Sequence, residues 1–112
     1  MSSAKILLGF LITALFAGSI MNDRHYPVSV VQINSRWNTK NSLDLSSLRN
    51  CNTQNAFYED QPFSIQRNLP RVPAIIIYKD KDQKAMFGGN MMLEPTVSVD
   101  SIQSVIDKLY EQ

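Results

Sequence analysis

The only thiol of this chain is Cys51 and its only imidazole is His25. One cysteine cannot close an intrachain disulfide. One Cys with one His also falls short of the three or four protein ligands that a zinc site needs. A serine relay requires an imidazole beside its nucleophile; His25 lies instead in the polar stretch Asn22-Asp-Arg-His-Tyr-Pro27 and reads as a solvated linker residue. Cys51 follows Arg49 in a turn-rich stretch, with no helix start to lower its pKa, and reads as an inert, partly buried thiol. Asp80 and Asp82 alternate with Lys79, Lys81 and Lys84, the pattern of a solvated hairpin tip. Glu59 and Asp60 are neighbours, and adjacent carboxylates on a strand point to opposite faces. Gly88-Gly89 lacks the strand–loop–helix setting of a phosphate loop. Asn38 and Asn41 stand three apart ahead of an expected helix; amides do not ionise near neutral pH, but they cap helices and exchange hydrogen bonds. With a formal net charge of +1, nothing electrostatic points to nucleic acid. These residues lead to an expectation of no catalysis, no cofactor and no metal.

The elements around them form one domain, as 112 residues suggest. Val28–Asn34 reads as a strand, with Val28 and Val30 on one face and Val31 and Ile33 on the other. Leu43, Leu45 and Leu48 give an apolar side to an expected helix from Ser42 to about Asn50, which the turn-rich run Asn50–Asn55 ends. Ala56–Asp60 is a short strand candidate. Residues 61–69 suit a short helix, with Pro62 in its first turn and Phe63, together with Ile65 or Leu69, turned inward. Val72-Pro73 then leads into Ala74–Tyr78, a run of apolar residues without alternation, as in a strand buried on both faces. Proline ahead of such a strand is unusual because it cannot donate to the ladder; a sharp turn, with a cis bond as one means, accommodates it. A charged hairpin returns through Ala85–Phe87. Asn90–Pro95 is a loop carrying Met91, Met92 and Leu93. Val99, Ile102, Val105, Ile106 and Leu109 mark a terminal helix capped by Ser98 or Asp100. The hairpin strands are expected antiparallel and the earlier ones parallel. The result is an α/β mixed sheet flanked by helices.

Residues 6–21 carry no charge. At about 1.5 Å per residue they span roughly 24 Å. Including Ser2 to Lys5 gives about 20 residues, enough to cross a bilayer with Lys5 snorkelling. A retained transmembrane helix is favoured. A cleaved signal peptide, with Lys5 as its charged start and Ala17-Gly-Ser19 as its cleavage site, is the main alternative; a buried core helix is the third. Lys5 and the amino terminus precede the span, whereas Asp23 and Arg24 cancel after it. The charge bias therefore places the amino terminus inside and the bulk of the chain outside. The expected organisation is an anchor or signal segment over residues 1–21, a linker over 22–27 and a folded domain over 28–112.

The order of elements, Trp37 ahead of a helix start, Val72-Pro73 before a hydrophobic strand, Gly88-Gly89 and the terminal helix together resemble the thioredoxin superfamily over residues 28–112. Oxidoreductases of that family place Cys-x-x-Cys directly after the tryptophan, where a helix N-terminus stabilises the thiolate. Here Asn38 and Asn41 occupy both cysteine positions, so dithiol exchange is excluded there. The resemblance implies a redox-inactive member in which Trp37, Asn38, Asn41, Val72 and Pro73 line a partner or peptide cleft. On an anchor embedded in the bilayer through residues 2–21, such a domain would be an accessory subunit bound to other protein subunits of a membrane complex. Respiratory-chain assemblies contain small subunits of this kind, which favours the mitochondrial inner membrane over a bacterial or endoplasmic-reticulum membrane. The alternative is a secreted or lumenal disulfide-isomerase-like folding factor that binds peptides without redox work.

Overall fold

A computed structural model describes residues 25–111. The expected anchor or signal segment, and residues 22–24 of the linker, lie outside the described residues. Four strands, β1 (Val28–Asn34), β2 (Asn52–Phe57), β3 (Ala74–Lys79) and β4 (Asp82–Phe87), form one sheet in the order β2-β1-β3-β4. A 3-10 helix (Arg36–Asn41) follows β1. The short α1 (Phe63–Gln66) lies between β2 and β3, and α2 (Val99–Tyr110) closes the chain.

Alternation along β1 divides the core in two. Val28 and Val30 join Ile75 and Ile77 under Ile102, Ile106 and Leu109 of α2. Val31 and Ile33 join Ile76 and Tyr78 under Ile65 of α1. Each buried isoleucine contributes roughly 2–3 kcal/mol, so both faces of β3 bind the sheet to its covering layers. The side chain of Ser98 accepts from the Ser101 N–H and caps α2, and Lys79 Nζ donates to the Leu109 carbonyl at its other end.

The strand expected over Ala56–Asp60 runs instead over Asn52–Phe57, beginning inside the stretch read as turn-rich, and Tyr58–Asp60 forms a 3-10 turn. Three further expectations are corrected. First, β1 pairs with β2 in parallel but with β3 antiparallel. The link from Phe57 to Ala74 leaves and rejoins the sheet at the same end, as the pairs Asn34 with Phe57 and Ile33 with Ala74 show. A parallel β3 would need a crossover down the length of the sheet, and α1, four residues long, advances only about 6 Å. Second, residues 42–50 are not helical. Gln32, buried in β1, donates from Nε2 to the Leu43 carbonyl and accepts on Oε1 from the Leu43 N–H, both at 2.9 Å. Gln103 of α2 clasps Arg49 in the same two ways. A helix would use those backbone groups itself, whereas two buried amides hold them here. Leu45 is still buried, reaching the core from an extended segment. Third, Phe63 is exposed; Ile65 is the residue of α1 that enters the core.

Asp80 and Lys81 at the tip of the β3–β4 hairpin both have positive φ, 52° and 72°. That is the backbone of the tight turn whose twist matches antiparallel strands.

Candidate functional site

The C-terminal ends of β1, β2 and β4 meet the N-terminal end of β3 at one end of the sheet. All five expected cleft residues lie in the connections there. β1 ends in Asn34, whose Nδ2 donates to the Asn38 carbonyl and to Ser42 Oγ. Its Oδ1 accepts from Ser35 N–H and from Asn38 Nδ2. Asn38 is 3% exposed. Its other Nδ2 hydrogen goes to the Leu93 carbonyl at 2.9 Å, and its Oδ1 accepts from Asn41 Nδ2 at 2.8 Å. Both donors and the acceptor are thereby engaged. The amide braces the 3-10 helix against the loop after β4 and caps no helix.

Val72 and Pro73 are buried, and the bond between them is cis. Gly89 packs directly on them: its N–H donates to the Arg71 carbonyl at 2.6 Å, and an added Cβ would overlap the Val72 carbonyl. This close approach is what requires glycine at position 89. The structure thus brings Asn38 to Asn41, and Val72-Pro73 to Gly89, and joins the two groups through residues 88–93. The Trp37 side chain, next to Asn38 in the chain, is 68% exposed.

Exposed apolar side chains collect at the same end. Among the described residues, Trp37, Phe57, Phe63, Met91 and Met92 are five of the six large exposed hydrophobic residues, and each lies at a strand end or in a connection here. Met91 and Met92 ride on a braced turn. Asn90 Oδ1 accepts from Met92 N–H and Glu94 N–H, and the Asn90 and Glu94 backbones also bond. Arg36 lies 4.4 Å over the Phe57 ring and pairs with Asp60 at 2.7 Å. Hydrogen bonds from its own backbone N–H, and then from that of Arg36, hold the Glu59 carboxyl below its ordinary value.

No protein-family model matches this chain, and no curated protein matches it.

The chemistry of the site follows from its side chains. Among Trp37, Asn38, Asn41, Val72 and Pro73 no group titrates near neutral pH, and the two amides are committed to internal bonds. Cys51 is half-buried beside the α2 face of the core, and burial pushes its thiol up to about 11. It is a neutral thiol at physiological pH. Among the described residues no group of three His, Cys, Asp or Glu side chains could hold a metal ion, and no helix is long and apolar enough to cross a membrane.

Sequence reasoning missed Asn34 and Asn90, which do most of the bracing. A signal for Asn34 was present: a polar residue inside a run that is otherwise buried must find partners. Nothing local marks Asn90, because its role depends on the fold of residues 90–94.

Proposed function

We propose that this chain is a redox-silent, thioredoxin-like domain held at a membrane by residues 2–21, acting as an accessory subunit of a membrane protein complex. The respiratory chain and the mitochondrial inner membrane are its favoured setting. The mixed four-stranded sheet, helices on both faces and Pro73 ahead of β3 support the family reading. One observation carries the functional reading. The buried amide of Asn38, at the position where that family places its attacking sulfur, is spent on Asn34, Asn41 and Leu93. It secures structure at a place that elsewhere transfers electrons. Beside it, Trp37, Met91 and Met92 offer adaptable apolar contact to another protein.

The test is detergent extraction of the native membrane followed by native sizing and amino-terminal sequencing. Co-migration with a large assembly, with Met1 or Ser2 at the terminus, supports the subunit. The same exposed side chains suit unfolded peptides, so the secreted or lumenal folding factor remains the second reading. A free small species with its terminus near Ile20 would establish that one instead.

A further inference from the structure

Among the described residues the methionines are Met86, Met91 and Met92. Met86 is half-buried and packs against the core on the α1 side of the sheet. Met91 and Met92 are 84% and 73% exposed, more than any other large apolar side chain described. An exposed thioether is open to oxidants, whereas a packed one is shielded. The competing sulfur is Cys51, whose thiol burial keeps neutral at physiological pH; the thiolate is the nucleophile, so this sulfur reacts slowly. The fold therefore directs peroxide to two adjacent sulfurs in one loop.

That loop keeps its shape without help from either sulfur. Asn90 Oδ1 accepts from the Met92 and Glu94 N–H groups, and the Asn90 N–H donates to the Glu94 carbonyl. Thr96 Oγ1 donates to the Gly88 carbonyl at 2.8 Å. The loop is also tied to the helix that carries Trp37. The Leu93 carbonyl, next to Met92, accepts at 2.9 Å from Asn38 Nδ2, next to Trp37. The exposed ring and the exposed thioethers thus stand on segments joined by a buried amide. Apolar contact at this end requires both thioethers to stay apolar, and a sulfoxide is polar.

We infer that Met91 and Met92 form a peroxide-modification site, at which oxidation switches off apolar docking without unfolding the domain. In the reaction a sulfur lone pair takes one peroxide oxygen. The O–O bond breaks, and the departing hydroxide collects a proton and leaves as water. Each sulfur loses two electrons and each peroxide gains them. The product is a polar, chiral sulfoxide, which reductases specific for its two epimers return to the thioether. A partner seated on the loop shields both sulfurs, so the free chain is the form that responds. The switch rests on the docking role proposed above, whereas the site of oxidation does not.

The test treats the full chain in mild detergent with hydrogen peroxide and locates each added oxygen by tandem mass spectrometry. Met91 and Met92 should be converted at least several-fold faster than Met86, with unchanged Tm and circular dichroism. Returned to native membranes that lack it, the oxidised chain should no longer co-migrate with the large assembly that the untreated chain joins. Reduction by both sulfoxide reductases should restore co-migration, and Met86→Leu should respond to peroxide as the parent does. Met91→Gln combined with Met92→Gln makes the loop polar without oxidant, and should fail to join the assembly with unchanged circular dichroism. Met86 oxidising as fast as the pair, a Tm lowered by oxidation of the pair, or co-migration that survives either the sulfoxides or the glutamines would each overturn the inference. An untreated chain that stays free would instead sink the subunit reading, and the switch with it, while the oxidation rates still decide the site.

Discussion

Replacing Asn38 by alanine tests whether that amide is a structural brace. The substitution removes three hydrogen bonds, to Asn34 Oδ1, the Leu93 carbonyl and Asn41 Nδ2. At about 1 kcal/mol net apiece, the gross loss is about 3 kcal/mol. Two partners soften it. Asn34 Oδ1 keeps the Ser35 N–H, and half-buried Asn41 can turn to water. The Leu93 carbonyl loses its side-chain donor. A net cost of about 2–3 kcal/mol is therefore expected, against a total domain stability of about 5–15 kcal/mol. For a domain of this size that lowers Tm by roughly 10–20 °C. The assay is thermal and urea unfolding of the full chain in mild detergent, followed by near-ultraviolet circular dichroism, to which the buried Tyr78 ring contributes. Thr39→Ala, an exposed neighbour, is the control and should cost under about 0.5 kcal/mol. Asn38→Asp separates lost hydrogen bonding from lost volume. Its carboxylate keeps the bond from Asn41 but turns an unprotonated oxygen on Asn34 Oδ1 and the Leu93 carbonyl, so its folded-state pKa is raised. The variant should lie closest to the parent below pH ~4, the unfolded carboxyl value, and lose stability as pH rises through the raised folded value. Asn38→Ala within about 0.5 kcal/mol of the parent, or Asn38→Asp with no pH dependence beyond the parent's own, would refute the reasoning.

Four further outcomes follow from other contacts. Gly89→Ala should cost more than about 2 kcal/mol, because its Cβ would meet the Val72 carbonyl, which is backbone and cannot swing aside; a Tm equal to the parent's contradicts this. Lys81→Gly should stabilise by about 1 kcal/mol, since φ is 72° at an exposed hairpin residue; a lower urea midpoint would count against it. Gln32→Leu should cost at least about 2 kcal/mol, despite filling a buried site with an apolar side chain, because it strands both backbone groups of Leu43; amide exchange at Leu43 should rise, and unchanged exchange would show that Gln32 does not hold the segment. Cys51, with its thiol raised from 9.0 to about 11, should be alkylated at pH 8 about a hundredfold more slowly than free cysteine. The same shift makes the folded state hold a proton that the unfolded state has lost between those values. The contribution of Cys51 is therefore full below pH 9.0 and declines toward pH 11, and Cys51→Ser should flatten that decline.

What could be read in advance depended on whether a residue's partner was near in sequence or fixed by a repeating pattern. The two faces of β1, the strand after Pro73, the hairpin and the capped terminal helix all follow from period-two or period-3.6 spacing and from local turn chemistry, and each stands where the residues placed it. The 42–50 segment failed because leucine spacing alone suits a helix, while the decisive contacts come from Gln32 and from Gln103, 54 residues away from Arg49. The same device recurs at the start of β1, where Asn52 Nδ2 donates to the Tyr26 carbonyl and Asn52 Oδ1 accepts from Tyr26 N–H. In three places, then, a side-chain amide acts as a substitute strand neighbour, satisfying the N–H and C=O of a single backbone residue. Amides suit this because they carry a donor and an acceptor in one plane, as a peptide group does. This accounts for how a small domain keeps an irregular segment in order, and among the described residues no buried side-chain nitrogen or oxygen is left without a partner. It also gives Asn38 its context. The amide at that position works to the same end: its Nδ2 holds the Leu93 carbonyl, backbone that neither helix nor sheet claims.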